Sequence, residues 1–326
     1  MLRHLALLLA VPAIASADPR FPDPSQSQVT GSSKDASVVG GSSAPQGKWP
    51  DAVAVLGAKG SCTGTLIAPD VVLTAGHCAE IEPSHVIANT VDYAAGGGMR
   101  VGVTSTTAYP SWQSSYDVSV IVLDEPITSI TPRMLGTSCT FRGFSDAMDV
   151  HLVGFGLTEE TGTGNNTHLN EAMAPVVDPE CMGPYGCNHS VQPGGEFVAG
   201  GGGTDSCFGD SGGPVYLDTP RGVIAIGAVS RGVNGAQMPC GSGGIYVRTD
   251  KIIDWIEDTT GRTIAKDDCG LDASTPDDSS ADMGGGCSTT HGGAGLGLAL
   301  GLLALRRRRS SDSRTGVRPN SHNACE

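Results

Sequence analysis

Between about residues 38 and 250 the sequence is broken into short runs of Val, Ile, Leu and Thr, such as 52–56 and 222–229, each stopped by Gly, Pro or Ser. Runs this short do not complete an ordinary helix, and their β-branched residues suit a pleated surface, so the pattern predicts an all-β body. One segment stands apart. Residues 249–257 open on Thr-Asp and then bring Ile252, Ile253, Trp255 and Ile256 to one face, which predicts a helix closing that body.

The ends of the chain are built differently. A basic start at Arg3, an apolar stretch over 5–14 and the small residues Ala15-Ser16-Ala17 read as a signal peptide over 1–17, because the apolar stretch is too short to span a bilayer. Residues 18–37, rich in Pro, Ser and Asp, read as a flexible propeptide. Residues 269–286 shift to Asp, Ser, Thr, Pro and Gly and read as a disordered stalk. After them come Cys287, an apolar stretch over 292–305, four arginines at 306–309 and a polar tail over 310–326. Fourteen helical residues rise about 21 Å, short of the roughly 30 Å hydrocarbon core.

Export implies an oxidising compartment, so the ten cysteines are expected to form disulfides, whose connectivity the residues alone leave open. The formal net charge is −14; the basic segment 306–326, the leader and 18–37 carry +4, +1 and −1, which leaves the body at −18. An anionic body disfavours nucleic acid and anionic lipid as partners. No Cys-x-x-Cys or His-Glu-x-x-His spacing occurs, and neither a metal nor a cofactor is expected.

The chemistry concentrates in Asp205-Ser206-Cys207-Phe208-Gly209-Asp210-Ser211-Gly212-Gly213-Pro214. A serine hydroxyl stays protonated at neutral pH, so Ser211 needs a base and a carboxylate behind the base to act as a nucleophile. His77, in Thr74-Ala75-Gly76-His77-Cys78, and Asp117, opening the apolar run 117–123, are the candidates.

These contexts, in the order His, Asp, Ser, resemble the trypsin/chymotrypsin family of serine endopeptidases over about residues 38–257. The resemblance implies two six-stranded antiparallel β-barrels within a protease domain over 38–268. The active site would lie between the barrels, with His77 and Asp117 on the first and Ser211 on the second, and a C-terminal helix would follow. It implies an oxyanion hole from the N–H groups of Gly209 and Ser211. It also implies a mature N-terminus at Val38, whose freed amine would pair with Asp210. Asp205, six residues before Ser211, takes the place of a pocket-base carboxylate, with Gly232 and Gly244 as small walls; together they imply polypeptide cleavage after Arg or Lys. Ser230, Arg231 and Gly232 would form the rail for an extended substrate. Arg231 stands where the family usually has tryptophan, and two fates are open to it: favouring acidic groups upstream of the cut, or turning to solvent.

The resemblance also implies Cys62–Cys78 and Cys207–Cys240 bridges. Cys181 and Cys187 are close enough for a local bridge, Val198 occupying the usual place of the second cysteine, and Cys269 is then the candidate partner for Cys139. Ser37 is neither Arg nor Lys, so activation is expected to need a separate activating protease or further trimming. The order of Cys287, apolar segment and arginines over 287–309 resembles the MYXO-CTERM sorting signal, which implies processing near Cys287 and anchoring at a bacterial surface or outer membrane, the only membrane contact expected of this monomer. Two other functions fit the same residues: a binding or adhesion protein on a protease scaffold, and a serine protease with a different pocket preference. The glycosylation-like triplets at Asn165 and Asn188 read as surface loops.

Overall fold

The computed structural model describes residues 38–146 and 148–270. The leader, the propeptide and everything beyond residue 270, Cys287 included, lie outside those residues. A short strand, β1 (Ser42–Ser43), comes first. The first barrel takes β2 (Ala52–Gly57), β3 (Gly60–Ala68), β4 (Val71–Thr74), β5 (Pro83–Ala88), β6 (Met99–Ala108) and β7 (Ser119–Leu123), closed in the order β2-β3-β4-β7-β6-β5. The second takes β8 (Asp149–Gly154), β9 (Asn170–Asp178), β10 (Glu196–Ala199), β11 (Pro214–Thr219), β12 (Gly222–Gly232) and β13 (Gly244–Arg248). Its ring runs β9-β10-β13-β12-β11-β8, the β8–β9 pairing closes it, and β1 adds to β9. The fold is therefore two closed six-stranded antiparallel barrels.

The two-residue side-chain period of a strand explains why both faces of several strands are buried. On β2 and β4, Val53, Val55 and Val72 fill the first barrel with Leu66 and Ile121. Their neighbours Ala52, Ala54, Val71 and Leu73 turn outward onto a cluster shared with Phe155, Tyr216 and Val247 of the second barrel. Each large aliphatic side chain buried this way is worth about 1.5–3 kcal/mol, so the seam between the barrels is a core of its own. Along β9 the alternation is plain: Ala172, Ala174 and Val176 face inward while Met173, Pro175 and Val177 are exposed.

The expected helix over 249–257 arrives in two pieces, a 3-10 turn Thr249–Lys251 and α1 (Ile253–Thr260). Ile252 breaks the run at φ −121° as it turns into the core, and Gly261, at φ 67°, ends α1 by donating its N–H to the Glu257 carbonyl at 2.8 Å. Ile253 and Ile256 pack inward, and Trp255 lies on Tyr109 with ring centres 5.0 Å apart.

Among the described residues four disulfides form: Cys62–Cys78, Cys139–Cys269, Cys181–Cys187 and Cys207–Cys240. The triplet at Asn165 corrects the surface-loop expectation, since Asn165, Asn166 and Thr167 are all buried, whereas at 188–190 only Asn188 is buried and His189 and Ser190 are exposed. Asn165 Oδ1 accepts from the Thr167 and His168 backbone N–H groups at 2.7 and 3.1 Å, and the Asn166 carbonyl accepts from the Tyr93 hydroxyl at 2.7 Å.

Candidate active site

His77 opens a 3-10 turn, His77–Ile81, directly after β4, and Asp117 sits two residues ahead of β7, the strand paired with β4. Strand pairing thus brings together residues forty positions apart. His77 Nδ1 lies 2.9 Å from Asp117 Oδ2, and the His77 backbone N–H donates to Asp117 Oδ1 at 2.9 Å. The Ser230 hydroxyl, reaching over from β12, donates to Asp117 Oδ2 at 2.7 Å. Burial alone would raise the Asp117 carboxyl, but the His77 charge and the hydrogen bonds from His77 and Ser230 outweigh it and hold it below the ordinary range. Gly76 is required by crowding: a Cβ there would stand 2.8 Å from Trp112 Cβ and 2.9 Å from Asp117 Oδ1.

Ser211 arrives from the second barrel. Its carbonyl accepts from the Thr63 N–H at 3.0 Å, and a Cβ on the next residue, Gly212, would collide with Thr74 Oγ1 and the Ala75 nitrogen. The serine is therefore clamped against the β4 end that leads into His77. Just before it, the Phe208 carbonyl accepts from Leu157 N–H at 2.8 Å, while the Gly209 carbonyl accepts from Thr63 Oγ1 at 2.8 Å. In a trans peptide the N–H points opposite to the C=O, so the Gly209 N–H is turned away from Leu157. Gly209 holds this with φ 98°, a conformation costly for any residue with a Cβ. Among the described residues, neither the Gly209 nor the Ser211 N–H donates to a backbone acceptor.

Asp210 and Asp205 are buried on either side of this loop. Asp210 is pushed up to about 7 by burial, against N–H donors from Cys207 and Gly156, both at 2.8 Å, and with the Asp205 charge adding to the rise. A Cβ on Gly156 would run into its carboxylate. Val38 is buried in the second barrel's core, and the Val39 carbonyl accepts from Asp205 N–H at 3.1 Å, so the 38–41 segment runs beside Asp205. Asp205 is likewise pushed up to about 7 by burial, relieved in part by backbone N–H groups, of which Gly241 and Gly243 donate to Oδ2 at 3.0 Å each. Its Oδ1 has no hydrogen-bond partner among the described residues.

Gly232 on β12 and Gly244 on β13 pair directly across the ladder. A Cβ on Gly232 would enter open space, and one on Gly244 would come within 2.6 Å of the Tyr246 hydroxyl. The Cys207–Cys240 disulfide ties the segment that follows Asp205 to the one that leads into its donor Gly241.

Arg231 corrects both fates expected for it. It is 4% exposed and forms a fork on Glu196, itself 0% exposed, with Nη1–Oε1 at 2.8 Å and Nη2–Oε2 at 3.1 Å. Nη1 also donates to Ser230 Oγ at 2.9 Å and Nη2 to the Gly186 carbonyl at 3.1 Å. A guanidinium that satisfies its donors inside the protein has little reason to swing to solvent. Glu196 was overlooked in the sequence, although a lone acid heading the buried strand Glu196–Ala199 was a usable signal.

Among the described residues, the gatherings of metal-ligand side chains are Cys62–His77–Cys78, Cys139–Asp267–Cys269 and Cys181–Cys187–Glu196. Each contains a disulfide, whose sulfurs offer no thiolate.

A histidine held by a buried carboxylate, a serine pressed against the same turn and a glycine-turned amide are the parts needed to attack a carbonyl and hold the resulting oxyanion. A family model described as Trypsin matches residues 38–256, so this two-barrel chain belongs to the trypsin family and is a serine endopeptidase.

Proposed function

We propose that the protein cuts polypeptides after Arg or Lys, with Ser211 as nucleophile, His77 as base and Asp117 as its orienting carboxylate. His77 Nε2 takes the Ser211 proton as Oγ attacks the scissile carbonyl, while Asp117, bonded to Nδ1, supports the imidazolium. His77 then protonates the leaving amine. Water repeats the cycle on the acyl-enzyme and frees the acid product. The Gly209 and Ser211 N–H groups receive the oxyanion.

The Asp205 carboxylate carries the specificity reading, buried with one oxygen left without a hydrogen bond while Gly243, a donor to the other, directly precedes the Gly232–Gly244 pair. A guanidinium or ammonium entering there gains a charge-assisted pair and removes the cost of that oxygen, which apolar side chains cannot do. Hydrolysis of a fluorogenic peptide library by the protein with Val38 freed, with Ser211→Ala as control, is expected to give cuts after Arg and Lys only in the parent. Cuts after apolar residues would overturn the specificity while leaving the enzyme.

Activation follows from Asp210. It is buried and, among the described residues, its hydrogen bonds come from the Gly156 and Cys207 N–H groups, so it lacks a cation, and an α-amino group released at Val38 is the candidate the resemblance supplies. Since Ser37 precedes the junction, that cut calls for a second protease or for further trimming. Export through residues 1–17, supported by the apolar leader and the four disulfides, and anchoring near Cys287 through the 287–309 segment complete the reading. Full activity with Ser37-Val38 intact would overturn the switch, and a mature protein retaining 288–326 would overturn the anchor.

A further inference from the structure

We propose that the buried Arg231–Glu196 pair is a positioning device for the catalytic carboxylate, acting on Asp117 through Ser230 and through the 111–116 loop; this rests on the triad reading above. A guanidinium donates hydrogen bonds and accepts none. Because Arg231 Nη1 donates to Ser230 Oγ at 2.9 Å, that oxygen is the acceptor there, and the single hydroxyl proton is committed to Asp117 Oδ2 at 2.7 Å. A serine without such a neighbour rotates its proton among several acceptors.

The second route is through the backbone. Glu196 Oε2 accepts from the Asn188 N–H at 2.8 Å, Asn188 Nδ2 donates to the Ser115 carbonyl at 2.7 Å, and Ser115 lies two residues before Asp117. The Ser190 hydroxyl also donates to the Ser114 carbonyl. One carboxylate on the second barrel thus fixes both a side-chain donor to Asp117 and the loop that delivers Asp117 from the first. Arg231 Nη2 on the Gly186 carbonyl adds the Cys181–Cys187 loop to the same hub. Removing only one member would leave its partner charged and buried, which is strongly destabilising, so the informative change removes both.

The test compares the activated parent with an Arg231→Met/Glu196→Met double variant. In the double variant kcat should fall by up to about 10²-fold with KM little changed, because a mispositioned triad loses turnover before it loses binding. The low-field proton resonance of the His77–Asp117 hydrogen bond should also move. A folded double variant with kcat within about twofold of the parent and that resonance unchanged would overturn the proposal.

Should the double variant not fold, Arg231→Lys decides the matter. It keeps a charge for Glu196 but loses the fork, so it should lower kcat in the parent and lower it less in a Ser230→Ala background, where only the route through the 111–116 loop remains; an unchanged kcat in the parent overturns the proposal. A parent without Ser211-dependent hydrolysis would bring down the protease reading and this proposal with it. An active parent with an unaffected double variant would bring down this proposal alone.

Discussion

Asp117 and Asp205 are equally hidden from solvent, 0% and 2% exposed, yet one is held below the ordinary carboxylate range and the other is pushed up to about 7. Burial penalises both charges, so the partners decide. Asp117 faces a histidine ring, a backbone N–H and a hydroxyl whose proton has nowhere else to go, whereas Asp205 has backbone N–H groups on one oxygen and nothing on the other. A carboxylate meant to stay charged throughout the reaction is partnered by its own protein. One proposed to receive a substrate's charge is left with an oxygen unpartnered.

The harshest break of this contrast is to uncharge the satisfied partner. Asp117→Asn should lower kcat by about 10⁴-fold in initial-rate assays, because the amide favours the wrong imidazole tautomer. Next, Asp205→Ser should cost on the order of 10⁴-fold in kcat/KM for substrates with Arg before the cut while changing apolar substrates little. A loss equal for both classes would show that Asp205 supports the fold of the loop and not the pocket.

A pH series sharpens the comparison further. Asp205 must ionise to attract a cation, so the ratio of kcat/KM for Arg over apolar substrates should rise roughly tenfold as pH climbs from about 6 to about 8. Taking the ratio cancels the titration of the shared catalytic base.

Stability should run the opposite way. Asp205 and Asp210 carry folded-state values raised from 3.8 to about 7, so their stabilising contribution is complete below about pH 4 and is lost as pH rises through about 7. Asp117, held low, contributes above its ordinary range and loses that contribution as pH falls through its folded value. In thermal melts, protein with an acetylated Val38 should lose several degrees between about pH 4 and 7 through the two raised acids, and freeing the amine should recover Asp210's share. The smallest effect is expected where charge is exposed: Lys59→Ala, breaking a 2.6 Å pair with Glu82 at a surface turn, should shift Tm by less than about 2 °C.

The parts of this site that could be read from the sequence are the ones built from neighbours. His77 announces itself through Ala75, Gly76 and Cys78, because Gly76 must be bare to let Trp112 and Asp117 close in. Ser211 is announced by Gly209 and Gly212, whose missing side chains allow the turn and the approach to Ala75. The strands were legible as short runs of Val, Ile, Leu and Thr, because on several of them one face meets a barrel interior and the other meets the seam, while the pairing into two barrels was implied only by the family resemblance. Arg231 was misread because its partner, Glu196, is thirty-five positions away on a strand that reads as ordinary core. Residue 231 sits in a half-polar strand end, where a long cation normally reaches for water. Only the β10-β13-β12 ordering brings the acid beneath it. The helix boundary slipped for a local reason: Ile252 fits the apolar periodicity of a helix but leaves helical geometry to reach the core.

The Cys139–Cys269 bond joins positions 130 apart, just beyond α1, and Arg221 clamps Asp267 beside it with two contacts at 2.7 and 2.8 Å. Any tension applied to the chain beyond residue 270 therefore reaches a covalent junction before it reaches the helix. The load passes to Cys139, at the connection between the two barrels, and bypasses α1 and its packing on Tyr109. A pull from that end drags on the molecule near its middle, so the catalytic seam is shielded from the peeling by which a terminal helix would otherwise begin to unravel.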